Sequence, residues 1–284
     1  MDIVLKNEFL TVKINLRGAE LHSIKKGDTE YIWQADPEVW GSSAPVLFPI
    51  CGRLKDNAYN YKGKEYKLNP HGFARNLDYR TEKLTETEAL LSAEADEETR
   101  KVYPFDFKFF VNFKLCEAKL KITYSVQNVS GSVIYFSFGG HEGYACPEGA
   151  EEYSVTFPED TALTRHMLNE GFFNGKTEHI ELEKGELKLR YDEFEKCTYI
   201  FKSLNSDNVI LHNKDNSRRI RVSFDKDIKT LALWTLRGRK YVCIEPWWGT
   251  SQNESFNGSF DKKDGVVSLD AGKTFTRTHC IEIL

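Results

Sequence analysis

The segment Cys243-Ile244-Glu245-Pro246-Trp247-Trp248-Gly249 sets a carboxylate inside an apolar stretch, just before a proline that should end its ladder. An inward Glu245 beside tryptophans is desolvated, which raises its proton affinity and suits it to general acid or base work near neutrality. The competing interpretation is a structural carboxylate held by backbone N–H groups or an arginine. The indoles favour chemistry, because apolar sugar ring faces stack on aromatic surfaces as other amphipathic ligands do. On a strand, one of Trp247 and Trp248 must turn away.

Gly139-Gly140-His141-Glu142-Gly143-Tyr144 follows directly on the apolar strand Val133 to Phe138, so His141 stands where a rigid scaffold would present a proton carrier. A histidine satisfied by a neighbouring carbonyl is the alternative there. Glu142 alternates to the opposite side and is not counted as its partner. Pro70-His71-Gly72-Phe73-Ala74-Arg75-Asn76, preceded by Phe48-Pro49-Ile50-Cys51-Gly52-Arg53, supplies a further histidine and two arginines among loop-forming residues. An arginine fork binds hydroxyls, carboxylates or phosphates, or else forms surface ion pairs. His22, His166, His179, His212 and His279 sit in no comparable setting.

Other chemistries lack their residues. His71 and His141 are far apart without H-x-x-x-H, H-E-x-x-H or a cysteine pair, so no metal is expected. No G-x-S-x-G elbow or Gly-rich nucleotide loop is present, and Cys243 reads only as core. What remains is a His/Glu acid–base pair in a wet, aromatic-rimmed site.

Period-two alternation supplies the elements that position these groups. Leu10, Val12, Ile14 and Leu16 mark one strand. Phe105 to Leu115 and Leu120 to Val126 mark a long antiparallel hairpin, and Ile220, Val222 and Phe224 another strand. Tyr59 to Leu68 forms a smaller hairpin around Lys62-Gly63-Lys64. Short helices are expected at Asp36 to Trp40 and at Tyr191 to Lys196. The acidic run Glu82 to Glu98, with Ala89, Leu91 and Ala93 alternating, reads as a solvated strand pair. About fifteen to twenty strands without a linker predict an all-β fold, a large antiparallel β-sandwich forming a single domain over residues 1–284.

The 284 residues are 40% hydrophobic and 29% charged, which excludes a disordered, collagen-like or membrane-embedded chain. A net charge of −4 argues against nucleic acid or anionic lipid as partner. The six dispersed cysteines suggest reduced thiols, and the charged N-terminal stretch lacks a leader pattern, so a cytoplasmic protein is expected.

In this order and over the full length, Phe48-Pro49, Gly52-Arg53, His71 to Asn76, Gly139-Gly140-His141, and Trp234-Thr235 leading into Cys243 to Trp247 resemble the aldose 1-epimerase (galactose mutarotase) family, and within it the LacX-like branch. The resemblance implies the galactose mutarotase-like supersandwich and acid–base opening of a hexose ring, with Glu245 as general base on the C1 hydroxyl and His141 as general acid toward the ring oxygen. It assigns sugar binding to His71, Arg53, Arg75, Trp247 and Trp234, with no cofactor and no metal, in a monomer or homodimer. No segment aligns with the aspartate that galactose mutarotases carry in the third quarter of the chain. The His71 to Asn76 segment is also similar to hexose-6-phosphate 1-epimerases, for which Arg75 with Arg53, Arg237 or Arg239 would hold the phosphate. A non-catalytic carbohydrate-binding protein of the same fold is the third possibility.

Overall fold

The computed structural model describes residues 2–284; Met1 lies outside them. Among the described residues, twenty-four strands, all antiparallel where they pair in ladders, form two large sheets and three small ones. The nine-stranded sheet is built around the predicted hairpin, Phe107–Cys116 with Lys119–Asn128, whose Lys119↔Cys116 register leaves Glu117-Ala118 as a two-residue turn. Its burial alternates strictly, with Phe107, Phe109, Val111, Phe113 and Leu115 facing inward, because only one face of the sheet meets the core.

The seven-stranded sheet places Tyr241–Trp248 centrally, between Thr230–Trp234 and the two short strands Phe138–Gly139 and Glu142–Ala145. The sheets pack face to face through aromatic contacts such as Phe109 with Phe138, Tyr124 with Phe138 and Tyr124 with Trp248. One contiguous apolar cluster runs from Ile3 to Ile283. This is the large antiparallel β-sandwich that the period-two alternation predicts. All six cysteines are free thiols, and no helix among the described residues is long and apolar enough to cross a membrane.

Three local expectations are revised. Asp36 to Trp40 forms a turn instead of a helix: Val39 and Trp40 N–H both donate to Asp36 O, but the Trp40 carbonyl is taken by the Trp33 indole N–H at 2.9 Å. The acidic run does form the strands Arg80–Leu84 and Glu88–Glu94, after which Glu97–Val102 is a helix opened by a capping box between Asp96 and Thr99. Val133 to Phe138 is not one strand: Ile134–Phe136 pairs with Val267–Leu269, whereas Phe138–Gly139 joins the seven-stranded sheet. Ser137 makes the crossing, its N–H donating to Pro49 O and its hydroxyl accepting from Cys51 N–H.

Candidate active site

Strand alternation along Tyr241–Trp248 separates two populations of side chains. Ile244 and Trp248 join the main core, while Trp247 belongs to a second cluster beneath the cleft and Glu245 lines the cleft itself. Pro246 does not end the ladder as its lack of an N–H suggested; it pairs with Leu231 and the strand continues to Trp248. The reason lies in the neighbouring strand. Glu142 is opposite Ile244 and Gly139 opposite Trp247, so the edge facing Glu245 and Pro246 is interrupted at Gly140-His141. Pro246 O accepts from Gly140 N–H at 3.2 Å, which shows that the missing donor also points into this gap. There His141 leaves the ladder and its Nε2 comes within 3.3 Å of Glu245 Oε2.

His71 reaches the same place from a loop that only glycine permits. Gly72 has φ +73°, and a Cβ on it would lie 2.2 Å from Phe48 O. His71 itself is left-handed at φ 64°, its N–H donates to Gly52 O, and its Nδ1 accepts from Gly52 N–H at 3.2 Å. That acceptance fixes the tautomer and leaves Nε2–H as a donor. Its ring lies edge-on to His141, with centroids 5.4 Å apart, and to Trp247 at 5.6 Å.

Arg53 and the tip of the hairpin Ala162–Asn169/Phe172–Glu181 form the exposed rim. Arg53 N–H donates to Ser251 Oγ at 3.1 Å, and that hydroxyl donates to Gly171 O at 2.6 Å. The Arg53 side chain lies over Gly171, where a Cβ would meet Cδ at 2.9 Å. Glu170, in left-handed backbone at φ 51°, also lines the cleft, which encloses about 580 Å³, within the ~300–1,000 Å³ usual for small-ligand pockets. Trp234 and Trp247 supply its aromatic lining. Behind His141, Trp40 packs at 5.3 Å between centroids, in space kept open by Gly143.

Electrostatics at the centre are governed by burial. Glu245 is 2% exposed, and burial, reinforced by the second buried carboxylate Glu142, holds its carboxyl well above the usual range. Burial likewise pushes the His141 imidazole down to about 3 and His71 well below its ordinary value, with His141 and the Arg75 and Arg53 charges adding to the latter. Both shifts favour a neutral pair, a carboxylic acid facing a neutral imidazole. Glu245 Oε2, His141 Nδ1 and Trp247 Nε1 have no hydrogen-bond partner among the described residues, so the 3.3 Å contact is a close approach without hydrogen-bond alignment. These polar atoms are poised for a ligand that can satisfy them.

The aldose 1-epimerase family model matches residues 1–278. The chain belongs to that family. It is 30% identical over 300 residues to the plasmid-encoded protein LacX of Lactococcus lactis subsp. lactis, covering both chains completely. A galactose mutarotase related enzyme from Lactobacillus acidophilus superposes with a TM-score of 0.95 at 35% identity, covering 100% of this chain and 97% of the other. A galactose mutarotase-like protein from Lactobacillus casei, at 24% identity, shares the fold over the full length of both chains with a TM-score of 0.93.

In this family member, Glu245, His141, His71, Arg53, Trp247 and Trp234 come together around one cleft. Arg75 does not join them: it is outside the lining, and its guanidinium donates to Pro70 O. Arg237 is committed to Glu195 on the surface, and neither it nor Arg239 reaches the cleft. Trp247 is the tryptophan that faces the cleft, and Trp248 packs in the core. Sequence reasoning passed over Glu170, whose position beside Gly171 between two alternating stretches is a tight-turn signal. It also set His279 aside, although His279 Nε2 lies 3.1 Å from Glu142 Oε1 in a fully buried pair that joins the two sheets behind His141. Cys243 is buried, yet its sulfur lies within 4.8 Å of an imidazole nitrogen of His141 and a carboxylate oxygen of Glu245. Only the period-two step from Cys243 to Glu245 hinted at this.

Proposed function

We propose that the protein interconverts the α and β anomers of a free hexose, and the observation that carries this is the 3.3 Å approach of His141 Nε2 to Glu245 Oε2 inside a sugar-sized cleft. Glu245 takes the C1 hydroxyl proton. The freed electron pair forms the C1 carbonyl as the C1–O5 bond breaks, and O5 takes a proton from His141. Rotation about C1–C2 and reclosure on the other carbonyl face return both protons with the roles exchanged. The dyad needs one proton shared between its two members, and the neutral pair and the ion pair hold the same one. Sugar hydroxyls donating to Glu245, with the Trp247 indole N–H beside it, favour the carboxylate form. His71, a fixed Nε2–H donor, steadies charge developing on the ring oxygen.

At the rim, Arg53 and Glu170 offer a donor fork and an acceptor pair to the remaining hydroxyls. One arginine beside an acidic side chain suits a neutral sugar better than a phosphate dianion. A pure binder has no use for two proton carriers on one ring edge, which favours catalysis over the carbohydrate-binding alternative. The proposal takes residues 1–284 as one functional unit acting on small molecules in the cytoplasm, without cofactor. Polarimetry with glucose, galactose and glucose 6-phosphate tests it. We expect turnover of a free aldose, and in Glu245→Gln a loss of at least about 10²-fold in kcat with an unchanged circular dichroism spectrum. Full activity in that variant removes the assignment.

A further inference from the structure

We propose that His141, Cys243 and Glu245 form a binding site for a thiophilic divalent cation, with zinc the best match, and that the cation shuts the enzyme off by taking both proton carriers. The inhibitory consequence rests on the epimerase reading; the binding itself does not.

The argument begins with position. Cys243 and Glu245 are two residues apart on one strand and so share a face, and His141 enters from the interruption in the neighbouring strand. One donor atom from each, an imidazole nitrogen, a thiol sulfur and a carboxylate oxygen, all lie within 4.8 Å of one another. In tetrahedral zinc geometry, Zn–N of about 2.0–2.1 Å and Zn–O of about 2.0–2.2 Å put nitrogen and oxygen ligands about 3.4 Å apart. The His141–Glu245 edge, at 3.3 Å, already has that length. Only Sγ has to close in, through an adjustment on the order of 1 Å that a side-chain torsion supplies.

Charge balance points the same way. A thiolate, a carboxylate and a neutral imidazole around a dication give a neutral cluster, the form least penalised where Cys243 is 0% and Glu245 2% exposed. Glu245 Oε2, one of the two atoms of the 3.3 Å edge, is buried without a hydrogen-bond partner. The cleft provides an entry path and a fourth coordination position for water, the arrangement of three-ligand zinc sites. A mixed N/S/O set with one thiolate selects zinc or cadmium over magnesium and calcium, which want oxygen ligands. Binding releases two protons to solvent, one from the Cys243 thiol and the single proton of the His141–Glu245 pair, so affinity rises with pH.

The test uses chelator-stripped full-length protein without sugar. Cadmium is titrated in while the ultraviolet thiolate-to-cadmium charge-transfer band is followed, and zinc is titrated in against a chromogenic chelator. One equivalent should bind, and Cys243→Ser should lose the band and weaken zinc by at least about 100-fold while retaining mutarotation. Zinc should raise the apparent KM for the sugar in the parent protein, and a chelator should reverse this. Zinc binding of equal strength in Cys243→Ser overturns the proposal, as does a cadmium band that disappears in Cys116→Ser, since Cys116 is an exposed free thiol. If the cadmium band depends on Cys243 but no aldose is turned over, the metal site stands and the epimerase reading fails.

Discussion

The clearest quantitative consequence of the buried dyad is its pH profile. Were Glu245 and His141 solvated, one shared proton would persist only between the ordinary carboxyl and imidazole values of 4.5 and 6.5. Burial moves both limits outward. The imidazole is pushed down to about 3 from 6.5, a preference for the neutral ring on the order of 5 kcal/mol. The carboxyl moves up, through burial first and the Glu142 charge second. A second proton therefore enters only near pH 3, and the single proton is lost only at the raised carboxyl value. The pair titrates as a unit, so these limits belong to the dyad and not to either residue.

The measurement is kcat/KM by polarimetry, with the spontaneous rate subtracted at each pH, because this parameter reports the free enzyme. On the acid side the profile should stay level down through pH 4.5 and fall only near pH 3. A solvated pair would already have lost about half of its singly protonated form at pH 4.5. An acid limb with its midpoint near 4.5 would refute the reasoning. Glu142→Gln, which removes the second carboxylate while keeping a hydrogen-bonding amide, should draw the alkaline limb to lower pH; a limb that does not move would separate Glu142 from the dyad.

Glu170→Ala should raise KM by about 10- to 100-fold, the range expected for lost hydrogen bonds to a charged acceptor, with kcat within about threefold. An equal fall in kcat would mean that Glu170 acts in the transition state instead. Gly72→Ala forces a Cβ into the Phe48 carbonyl at 2.2 Å in left-handed backbone, so His71 must move. A displacement on the order of 1 Å should cost about 10²-fold in kcat/KM, and unaltered kinetics would show that the His71 loop tolerates shift.

Sequence patterning by itself determined the sheets, because apolar alternation in Phe107–Cys116 and Lys119–Asn128 is a local property that burial of one face enforces. It also marked the chemistry: a carboxylate amid apolar neighbours and a histidine behind two glycines are expensive unless used, so Glu245 and His141 stood out. Tyr191–Lys196 was legible as a helix for similar reasons, whereas Asp36 to Trp40 stops after one turn: its N–H groups close on Asp36 O, and the Trp40 carbonyl accepts from the Trp33 indole where a longer helix would have continued.

Only the tertiary structure decided which side chains share the cleft. Arg75 is adjacent to the His71 loop in sequence, yet a 3-10 turn over Ala74–Asn76 places it outside the lining, with its guanidinium on Pro70 O. Glu170 is nearly a hundred residues from His71, and the Ser251 hydroxyl bonded to Gly171 O brings it to the rim. The Pro246 position was misread for the same reason: whether a missing N–H breaks a ladder depends on what the neighbouring strand offers there. Here that strand is itself interrupted, and the interruption admits His141. Local periodicity fixes which way each side chain points relative to its own strand, but the register between strands far apart in the chain decides what it meets.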